Sequence, residues 1–592
     1  MIKEVYHSVF SDIDVRFARL MIDLAGVKPS HPLFPVSSLL CHFTLTKRNS
    51  CLDLATLSGK SLHDILDFAD IEEPDHKEIA LPDTDTLAQQ LRDTSPVGIP
   101  GEYTPLVLDE RNRLYLFRYW EYEQKLAAGI AERIHSEAGK RTKGSDQLLD
   151  QLFPDPKTDP DWQRRAADSA VSGRLTMISG GPGTGKTHTV TSILALLISE
   201  RPELAISLCA PTGKAAARLQ DSIQKAKKQM SFLNPRILNR IPERAGTIHR
   251  LLGVRKGSAS FKHNPGNPVI ADVVVVDEAS MVSLAMMSKL IQAIPKQTKL
   301  ILLGDKNQLS SVEAGAVFGD ICDAGRSLAR LSESIVELQY SYRFEQSPGI
   351  GEISSFINQG DVDGVLKTVK KATDNSLVLQ DQPKSGQLKS KLNQLVTSRI
   401  KPLLEAKSLA EGFVALEQFK ILCSYRKGEF GVEAVNRAIE QLLVEQGVIK
   451  GQQDIYKGKP IIVKQNDYQV NLYNGDTGII WPDKNGRLRA YFPAGKQIFS
   501  DIGITRLPPH QAAYALTIHE SQGSEFSDIL IVLGDEASPL LSKELLYTAV
   551  TRAKANIEIW ADRELLSFAI TNTVQRQTGL QQKLRQMIES PV

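Results

Sequence analysis

Short apolar runs alternate with helical patterns along most of the chain after residue 160. The clearest runs are Leu175–Ile178, Ala205–Ala210, Val273–Val276 and Leu300–Leu303. Apolar residues without polar alternation are typical of strands buried on both faces, and the stretches between them have the spacing of amphipathic helices. Alternating strands and helices predict an α/β fold with a parallel sheet, and we interpret this unit as a RecA-like core.

A second set of buried strands follows, from about Val336 to the C-terminus. It includes Ile421–Cys423, Ile529–Val532 and Ile557–Trp560. Between Gly458 and Leu507 the pattern changes to short β runs separated by Asn-Gly and Asp-Lys-Asn-Gly turns, which are typical of hairpins. We therefore expect a second RecA-like core that carries a small SH3-like β-barrel as an insertion.

The chain is too long for one hydrophobic core, since its 592 residues exceed the roughly 250–300 at which single cores stop growing. Short helical patterns such as Val15–Leu24 predict a helical N-terminal domain, and a polar stretch follows it. The predicted layout is an N-terminal domain at 1–125, a linker at 126–160, a first core at 161–330 with a basic insert at about 225–268, and a second core at 331–592 with the barrel at about 458–507.

Composition narrows the function only slightly. The formal net charge is +2, so a nucleic-acid site would have to be a local patch. The five cysteines are dispersed without a C-x-x-C pair, which argues against a zinc or iron–sulfur site and favours a reducing compartment. The start of the sequence lacks the pattern of a signal peptide, and no apolar run is long enough to span a bilayer. We therefore expect a cytoplasmic protein without a membrane partner.

Candidate chemistry begins directly after the first strand. The pattern G-x-x-x-x-G-K-T is matched by Gly180, Gly181, Pro182, Gly183, Thr184, Gly185, Lys186 and Thr187. In such a loop the backbone N–H groups at the head of a helix cradle phosphates. Lys186 would contact the β- and γ-phosphates of ATP, and the Thr187 hydroxyl would ligate Mg²⁺. A chance glycine-rich turn is disfavoured because a strand precedes the loop and a helix follows it.

An acidic pair follows the four valines of Val273–Val276. Asp277 would hold Mg²⁺ and Glu278 would polarise the attacking water. Two acids at the end of a strand can also cap a helix. The phosphate loop upstream favours the catalytic interpretation.

Four further positions are weaker by themselves. Gln308, in the turn after Leu300–Leu303, would bond both the γ-phosphate and the attacking water. Arg343 and Arg552 are candidate arginine fingers that would neutralise charge on the transferred phosphoryl group. Gln163 would contact the edge of the adenine. Taken alone, each also has an ordinary explanation: Gln308 as part of a polar turn, the arginines as surface residues and Gln163 as a solvent-exposed glutamine.

A basic stretch runs from Lys214 to Lys262, where twelve lysines and arginines accompany only two acids, Asp221 and Glu243. Such local excess in a nearly neutral chain predicts contact with nucleic-acid phosphates and salt-dependent binding. A solvated basic helix remains the alternative.

In their order, these motifs resemble those of superfamily 1 helicases of the 5′-to-3′ branch. The set comprises Gln163, the phosphate loop, Ala210–Ala216, Thr247–His249, Asp277–Ser280, Gly304–Leu309, Tyr342-Arg343, Thr517–Glu525 and Tyr547–Lys554. Within that branch the chain is similar to the RecD family, the alpha subunits of exodeoxyribonuclease V, and a weaker similarity covers Asp12–Ala18. One position departs from the pattern: Glu520 stands where the family has Lys, which puts a phosphate contact there in doubt.

The resemblance implies two RecA-like cores with ATP in the cleft between them. The first would supply Lys186, Thr187, Asp277, Glu278 and Gln308, and the second Arg343 and Arg552. The residues it implies as DNA contacts are Thr212, Thr247, His249, Thr517 and His519.

The partners that the resemblance implies are single-stranded and double-stranded DNA ends and RecB-like and RecC-like subunits in a heterotrimer. Residues 1–125 would dock the partner subunit. The complex would act in recombinational repair of double-strand breaks, in the bacterial cytoplasm at the nucleoid. The 5′-to-3′ sense comes from the resemblance alone.

Two other functions stay open. One is a stand-alone RecD-like helicase, although those carry a longer N-terminal extension with helix-hairpin-helix units. The other is a P-loop scaffold ATPase that does not unwind DNA. We find no clustered acids with a lysine outside the motor motifs, and therefore expect no nuclease site in this chain.

Overall fold

The computed structural model describes residues 10–66, 80–136, 143–154, 158–255, 257–258, 260–345, 347–372, 376–451, 453–467, 469–495 and 498–589. None of the helices in these ranges is long and apolar enough to cross a membrane. Part of the basic insert predicted at about 225–268 lies outside the described residues.

The N-terminal region combines helices with a small sheet. The helices span Asp12–Ala25, Leu33–Thr46, Leu62–Leu66 and Thr84–Arg92. The strands β1 (Cys51–Asp53), β2 (Val97–Gly98), β3 (Leu106–Leu108) and β4 (Arg113–Leu116) pair in the order β1-β4-β3-β2. The prediction of a helical domain was thus incomplete, because strands of two to four residues are too short to give a clear alternation.

Six parallel strands form the first large sheet, in the order β10-β5-β9-β8-β6-β7. They are β5 (Leu175–Gly180), β6 (Ile206–Ala210), β7 (Ala245–Thr247), β8 (Val273–Val276), β9 (Lys299–Gly304) and β10 (Ile335–Leu338). The flanking helices are Phe117–His135, Lys143–Leu152, Trp162–Ser172, Lys186–Glu200, Gly213–Gln229, Pro235–Arg240, Ile248–Leu252, Leu284–Ala293, Val317–Gly325 and Ala329–Ser332.

The valines of β8 explain why this sheet is covered on both faces. Val273 and Val275 lie in one apolar core, and Val274 and Val276 lie in the core on the opposite face. Successive side chains of a strand point to opposite faces, so an unbroken apolar run requires helices on both sides. The predicted α/β architecture with a parallel sheet is confirmed.

Two predicted boundaries differ from the structure. Residues 126–135, placed in a linker, form the second half of a helix that buries Leu126 and Ile130 in a core of the first sheet. Val336, placed in the second core, lies in β10 and pairs with Ile178 of β5. Both errors arise because a sequence pattern shows that a segment is buried but not which sheet covers it.

A second parallel sheet has five strands in the order β11-β20-β19-β12-β18. They are β11 (Leu377–Gln380), β12 (Phe419–Cys423), β18 (Ala515–Thr517), β19 (Phe526–Val532) and β20 (Ala553–Trp560). Helices Pro348–Gln359, Val362–Lys371, Leu388–Leu395, Lys401–Glu405, Leu409–Gln418, Val432–Glu445, Lys543–Val550 and Arg563–Thr571 accompany them.

An antiparallel sheet is inserted between β12 and β18. Its strands β13 (Pro460–Val463), β14 (Thr477–Pro482), β15 (Leu488–Gly495), β16 (Ile498–Gly503) and β17 (His510–Ala512) pair in the order β16-β15-β14-β13-β17. It has its own small core, which includes Ile461, Ile480 and Phe492. The predicted insertion at 458–507 therefore contains four of these strands, and the fifth follows it.

The last segment returns from the second sheet to the first. Gln577 accepts a hydrogen bond from Ser50 N at 3.0 Å through its backbone oxygen, and its backbone N–H donates to Asn49 at 3.1 Å. The helix Leu580–Glu589 then packs on the helix Phe117–His135, where Lys583 and Glu123 form a buried ion pair at 2.6 Å. We call residues 572–589 the C-terminal strap.

Candidate functional site

A cavity of about 570 Å³ lies between the carboxyl ends of the first sheet and elements of the second sheet. Predicted nucleotide residues from both units line it. They are Gln163, Pro182, Gly183, Thr184, Gly185, Lys186, Thr187, Asp277, Glu278 and Gln308, together with Arg343 and Arg552. Gly180 and Gly181, at the base of the loop, are not among the residues that line the cavity.

The glycine loop adopts a conformation that requires glycine. Gly183 has a φ of +77°, and an added Cβ would lie 2.3 Å from the Cβ of Arg343. Gly185 has a φ of +83°, and a Cβ added there would lie 2.7 Å from Gln163 Nε2. Backbone of this kind, which side chains disfavour, turns the N–H groups toward the cavity.

Lys186 is folded back on its own loop. Its ammonium group donates to the backbone oxygen of Gly180 at 2.5 Å and to that of Gly181 at 3.1 Å. Burial lowers the pKa of Lys186, although Asp305, Glu278 and Asp277 counteract this. The ammonium group is hydrogen-bonded to uncharged backbone oxygens. An anion bound in the cavity can therefore replace these bonds without breaking an ion pair.

The segment after β10 is hydrogen-bonded to the glycine loop. Ser341 Oγ donates to Pro182 O at 2.9 Å, and the backbone N–H of Tyr342 donates to Gly183 O at 3.0 Å. These bonds place Arg343 at the mouth of the cavity. The loop and a candidate arginine finger are thus held together directly.

The acidic pair lies at the end of β8. Burial, reinforced by Glu278, raises the pKa of Asp277 to about 6. Glu278 has a φ of +51°, which is unusual for a residue with a side chain, and its N–H donates to Asp277 Oδ1 at 2.9 Å. Strained backbone of this kind persists when the surrounding structure fixes a side-chain direction.

Gln308 and Arg552 form a bridge between the two sheets. Arg552 Nη2 donates to Gln308 Oε1 at 3.0 Å, and Gln308 Nε2 donates to Asp305 Oδ2 at 3.0 Å. The hydroxyl of Tyr547 donates to the same Asp305 oxygen at 3.0 Å. Burial lowers the pKa of the Arg552 guanidinium, which also donates to the backbone oxygens of Thr548 and Ser524.

Glu525 joins the cations of the cavity. It accepts hydrogen bonds from Arg343 and Arg218, and Lys554 lies 3.9 Å from it. Burial, reinforced by the nearby charges of Arg218 and Arg552, lowers the pKa of Arg343 to about 9. The Arg343 Nη1 atom is buried and has no hydrogen-bond partner among the described residues. Glu525 therefore offsets part of the positive charge of these cations, and Arg343 has an unsatisfied donor facing the cavity.

Sequence reasoning did not assign Arg218, Glu525, Asp305 or Tyr547 to this site. Glu525, Asp305 and Tyr547 lie inside the motifs Thr517–Glu525, Gly304–Leu309 and Tyr547–Lys554. Arg218 lies one helical turn after Lys214, on the face of the helix Gly213–Gln229 that adjoins the cavity. That helical spacing was the available signal for it.

A groove of about 780 Å³ lies beside the carboxyl ends of β6 and β7 in the first sheet. Thr212, Thr247 and His249, three of the predicted DNA contacts, line it together with Asn466, Asn471, Tyr473 and Asn474, which lie between β13 and β14. Both threonine hydroxyls also cap helices, since Thr212 accepts from Ala215 N and Thr247 from Arg250 N. Their capping role is structural, and each hydroxyl still has a hydrogen to donate.

Thr517 is the last residue of β18, and His519 lies in the turn that follows. Thr517 N donates to Glu520 Oε2 at 3.0 Å, and Glu520 N donates to Thr517 Oγ1 at 3.1 Å. Glu520 also forms an ion pair with Lys464 at the end of β13. The acid that replaces the family's lysine therefore stabilises its own turn and ties it to the antiparallel sheet.

The basic stretch is divided among several surfaces. Lys227 pairs with Glu243 at 2.6 Å and Arg240 with Glu203 at 3.1 Å, whereas Arg218 faces the nucleotide cavity. Arg250 lines the groove. The stretch is thus not one continuous basic face.

Three family models match the chain. Residues 6–115 match the N-terminal domain of the RecBCD enzyme subunit RecD, residues 163–314 match an AAA domain, and residues 512–557 match a UvrD-like helicase C-terminal domain. The second match contains the glycine loop, the acidic pair and Gln308. The third contains Glu525 and Arg552.

Curated relatives match at greater length. The RecBCD enzyme subunit RecD of Mycolicibacterium smegmatis is 34% identical over 591 residues, which cover 98% of this chain and 99% of the relative. The RecD subunit of Haemophilus influenzae is 36% identical over 79% of each chain. The ATP-dependent RecD2 DNA helicase of Deinococcus radiodurans is 27% identical and covers 75% of this chain and 54% of its own length.

Among solved structures, the Pif1 helicase from Bacteroides in complex with ADP-AlF3 and ssDNA aligns with 72% of this chain and 94% of its own, at 15% identity and a TM-score of 0.36. The identity and coverage of the curated RecD subunits, together with the match to the RecD N-terminal domain, are decisive for the family. The chain belongs to the RecD family of RecBCD enzyme subunits.

Proposed function

We propose that this chain is an ATP-dependent 5′-to-3′ DNA helicase and the motor subunit of a RecBCD-type helicase–nuclease that processes double-strand breaks. The observation that carries the proposal is the cavity built from both parallel sheets. Lys186, Asp277 and Gln308 come from the first unit, Arg552 comes from the second, and Arg343 comes from the segment that joins β10 to the second unit. A phosphate chain bound there would contact both units at once, so its binding and cleavage would change how the units are held together.

The residues present have the chemistry that phosphoryl transfer needs. Lys186 and the loop N–H groups would bind the β- and γ-phosphates, and Glu278 would orient the attacking water. Arg343 and Arg552 would neutralise charge on the transferred group. Gln308, already bonded to Arg552, would report the state of the γ-phosphate across the interface.

Thr187 and Asp277 would hold Mg²⁺. Both line the cavity, and the raised pKa of Asp277 marks a buried carboxylate that a nearby cation would stabilise. The described residues contain no cluster of three or more His, Cys, Asp or Glu side chains that would ligate a metal by themselves. That fits Mg²⁺, which takes most of its ligands from water and phosphate and, when bound, offsets phosphate charge.

A smaller pocket of about 240 Å³ adjoins the phosphate cavity and would take the adenine. Gln163 and Tyr342 line both spaces, and Trp162 and Tyr340 add aromatic surface. Gln163 Nε2 lies 3.4 Å from Thr184 O. We assign the base to this pocket because a flat aromatic ring and an amide supply stacking and edge contacts together.

Single-stranded DNA would lie in the groove beside Thr212, Thr247 and His249. Next to it, Val254 and Phe261 form an antiparallel bridge, and Val254 is 50% exposed. We propose that the bridge between Val254 and Phe261 separates the strands of the duplex. An apolar residue at the groove wall is suited to unstack a base pair.

We divide the chain into an N-terminal docking domain, two RecA-like cores and an SH3-like barrel formed by β13–β17. The helix Phe117–His135 and strand β10 belong to the first core in this division. The protein would work on nucleoid DNA in the bacterial cytoplasm.

The docking surface that we propose is a stripe on the helix Asp12–Ala25. Ile13, Leu20 and Leu24 are each more than half exposed, and Phe17 lies between them at helical spacing. Exposed apolar stripes of this kind usually mark protein contacts. A RecC-like or RecB-like subunit would cover it.

The helicase proposal is tested with the full-length chain, alone and co-purified with its partner subunits. ATP hydrolysis should rise with single-stranded DNA, and a duplex with a 5′ tail should be unwound in preference to one with a 3′ tail. The variant Lys186→Gln should do neither. Hydrolysis that single-stranded DNA does not stimulate would favour a scaffold ATPase instead.

The docking proposal is tested by Leu20→Glu and Leu24→Glu, with Asp23→Ala as an exposed control on the same helix. The two acidic variants should fail to co-purify with the partner subunits while their ATP hydrolysis stays normal. Unchanged co-purification would reject the stripe.

A further inference from the structure

Two arginines and a histidine from distant parts of the chain meet beside the groove. Arg48 follows the helix Leu33–Thr46, His519 lies in the turn after β18, and Arg576 lies in the C-terminal strap. Burial lowers the pKa of His519, and Arg576 and Arg48 lower it further. Burial and then Arg48 lower the pKa of Arg576 to about 10. Positive charges on the three groups would therefore repel one another.

Backbone groups of one loop hold two of them in place. Gly315 N donates to Arg48 O at 3.0 Å, and Arg576 Nη1 donates to Glu313 O at 3.0 Å and to Gly315 O at 2.7 Å. Glu313 lines the DNA groove together with Thr247 and His249. Arg48 and Arg576 thus lie at the edge of the groove and are positioned by uncharged backbone groups.

Three acids near the cluster have other partners, and one of them, Glu544, accepts a hydrogen bond from Val574 N at 3.4 Å. Glu520, beside His519, is bound by Lys464 and by Thr517 N. Asp320, near Arg576, accepts hydrogen bonds from Thr578 at 2.8 Å and Gln581 at 3.3 Å. Among the described residues, no carboxylate forms an ion pair with Arg48, His519 or Arg576.

Arg48 has a free guanidinium on a strained backbone. Its φ is +61°, in the region that side chains disfavour and that Glu278 of the nucleotide cavity also occupies. Neither the Arg48 guanidinium nor the His519 ring has a hydrogen-bond partner among the described residues, although both are half-buried. Like charges held together with unused donors form a site that an anion would stabilise.

We propose that Arg48, His519 and Arg576 bind a backbone phosphate of single-stranded DNA at the edge of the groove. This inference rests on the proposed function, since it takes the groove to be the DNA track. Arg48 would supply the forked pair of N–H donors that fits a phosphate, and Arg576 would add charge while it stays bonded to the loop. The N-terminal region and the C-terminal strap would then both belong to the DNA track.

The test measures binding of a fluorescent oligo-thymidine to the full-length chain without nucleotide, by anisotropy at several salt concentrations. Asparagine accepts left-handed backbone, so Arg48→Asn removes the charge without adding strain. We expect roughly tenfold weaker binding. The slope of log affinity against log salt should become shallower by about 0.7, the value for one phosphate on a single strand. Arg48→Lys should restore the slope, and Arg19→Ala, on an exposed helix face, should bind as the parent does.

The outcomes separate the two proposals. A parent chain that does not bind the oligonucleotide would reject the helicase function itself. A parent that binds, with Arg48→Asn of equal affinity and slope, would overturn the phosphate site alone. Normal DNA binding with weakened co-purification of the partner subunits would identify an acidic protein surface as the ligand and also overturn it. If Arg48→Lys flattens the salt slope as much as Arg48→Asn does, the charge at this position does not contact a phosphate and the site is rejected.

Discussion

Replacing Arg552 with alanine removes a buried guanidinium that joins the two parallel sheets. The group donates to Gln308 Oε1, Thr548 O and Ser524 O at 3.0–3.2 Å, and all three acceptors are uncharged. If its charge serves the transferred phosphoryl group, the variant should lower kcat by about 100- to 1000-fold, or about 3–4 kcal/mol. Its stability should fall by about 3 kcal/mol at most, because three lost hydrogen bonds are opposed by relief of a buried charge.

The assay is steady-state ATP hydrolysis with saturating single-stranded DNA, together with ADP binding and thermal unfolding. Gln308→Ala and the double variant complete a cycle. Because the two side chains are bonded to each other, the double variant should be no more than about threefold slower than the worse single variant. Arg552→Lys keeps a charge but cannot span both Gln308 and Ser524, so it should recover only part of kcat. A kcat for Arg552→Ala within threefold of the parent, or fully additive effects, would refute the reasoning.

Three further predictions concern the loop, pH and the strap. Lys186→Met should reduce the rate of phosphate release at least about 100-fold. Its Tm should be unchanged, since the hydrogen bonds of the Lys186 side chain stay within its own loop. A normal rate of turnover would show that Lys186 does not act in ATP hydrolysis. Burial raises the pKa of Asp320 from its ordinary 3.8 to about 7, so the folded state keeps a proton that the unfolded chain loses. The free energy of unfolding should therefore fall between about pH 4 and 7, by up to about 4 kcal/mol, and urea melts of Asp320→Asn should show a flatter profile in that window. Lys583→Ala should destabilise the chain by about 3–5 kcal/mol because it leaves Glu123 buried and unpaired, whereas Lys583→Ala with Glu123→Gln should recover part of that loss in the same melts.

The nucleotide half of the site was predictable because local rules determine it. A strand, a glycine turn and a helix are consecutive in the sequence, so Lys186 and Thr187 have little choice of position. Asp277 follows a run of valines that must be buried on both faces. Parallel strands bring such carboxyl ends to one edge of a sheet.

The contacts between distant segments were not predictable in this way. Glu525 and Arg218 are 307 residues apart, and no periodicity connects them. The place of β10 in the first sheet and the four short N-terminal strands depend on which neighbour covers a segment, which apolar patterns do not specify. Whether Glu520 binds a phosphate or stabilises its own turn likewise depended on Lys464, 56 residues earlier.

The C-terminal strap has a consequence for how the chain reaches its native state. Leu580, Leu584 and Ile588 complete the same apolar core as Val274 and Val276 of the first sheet, some 300 residues upstream. That core cannot close until the strap has been synthesised, so the helices Phe117–His135 and Val317–Gly325, on which the strap packs, would emerge from the ribosome with part of their apolar surface uncovered. Contacts of such long sequence separation slow folding and leave time for aggregation. A shortened chain that lacks the strap should therefore be less soluble even though it keeps every residue of the nucleotide cavity.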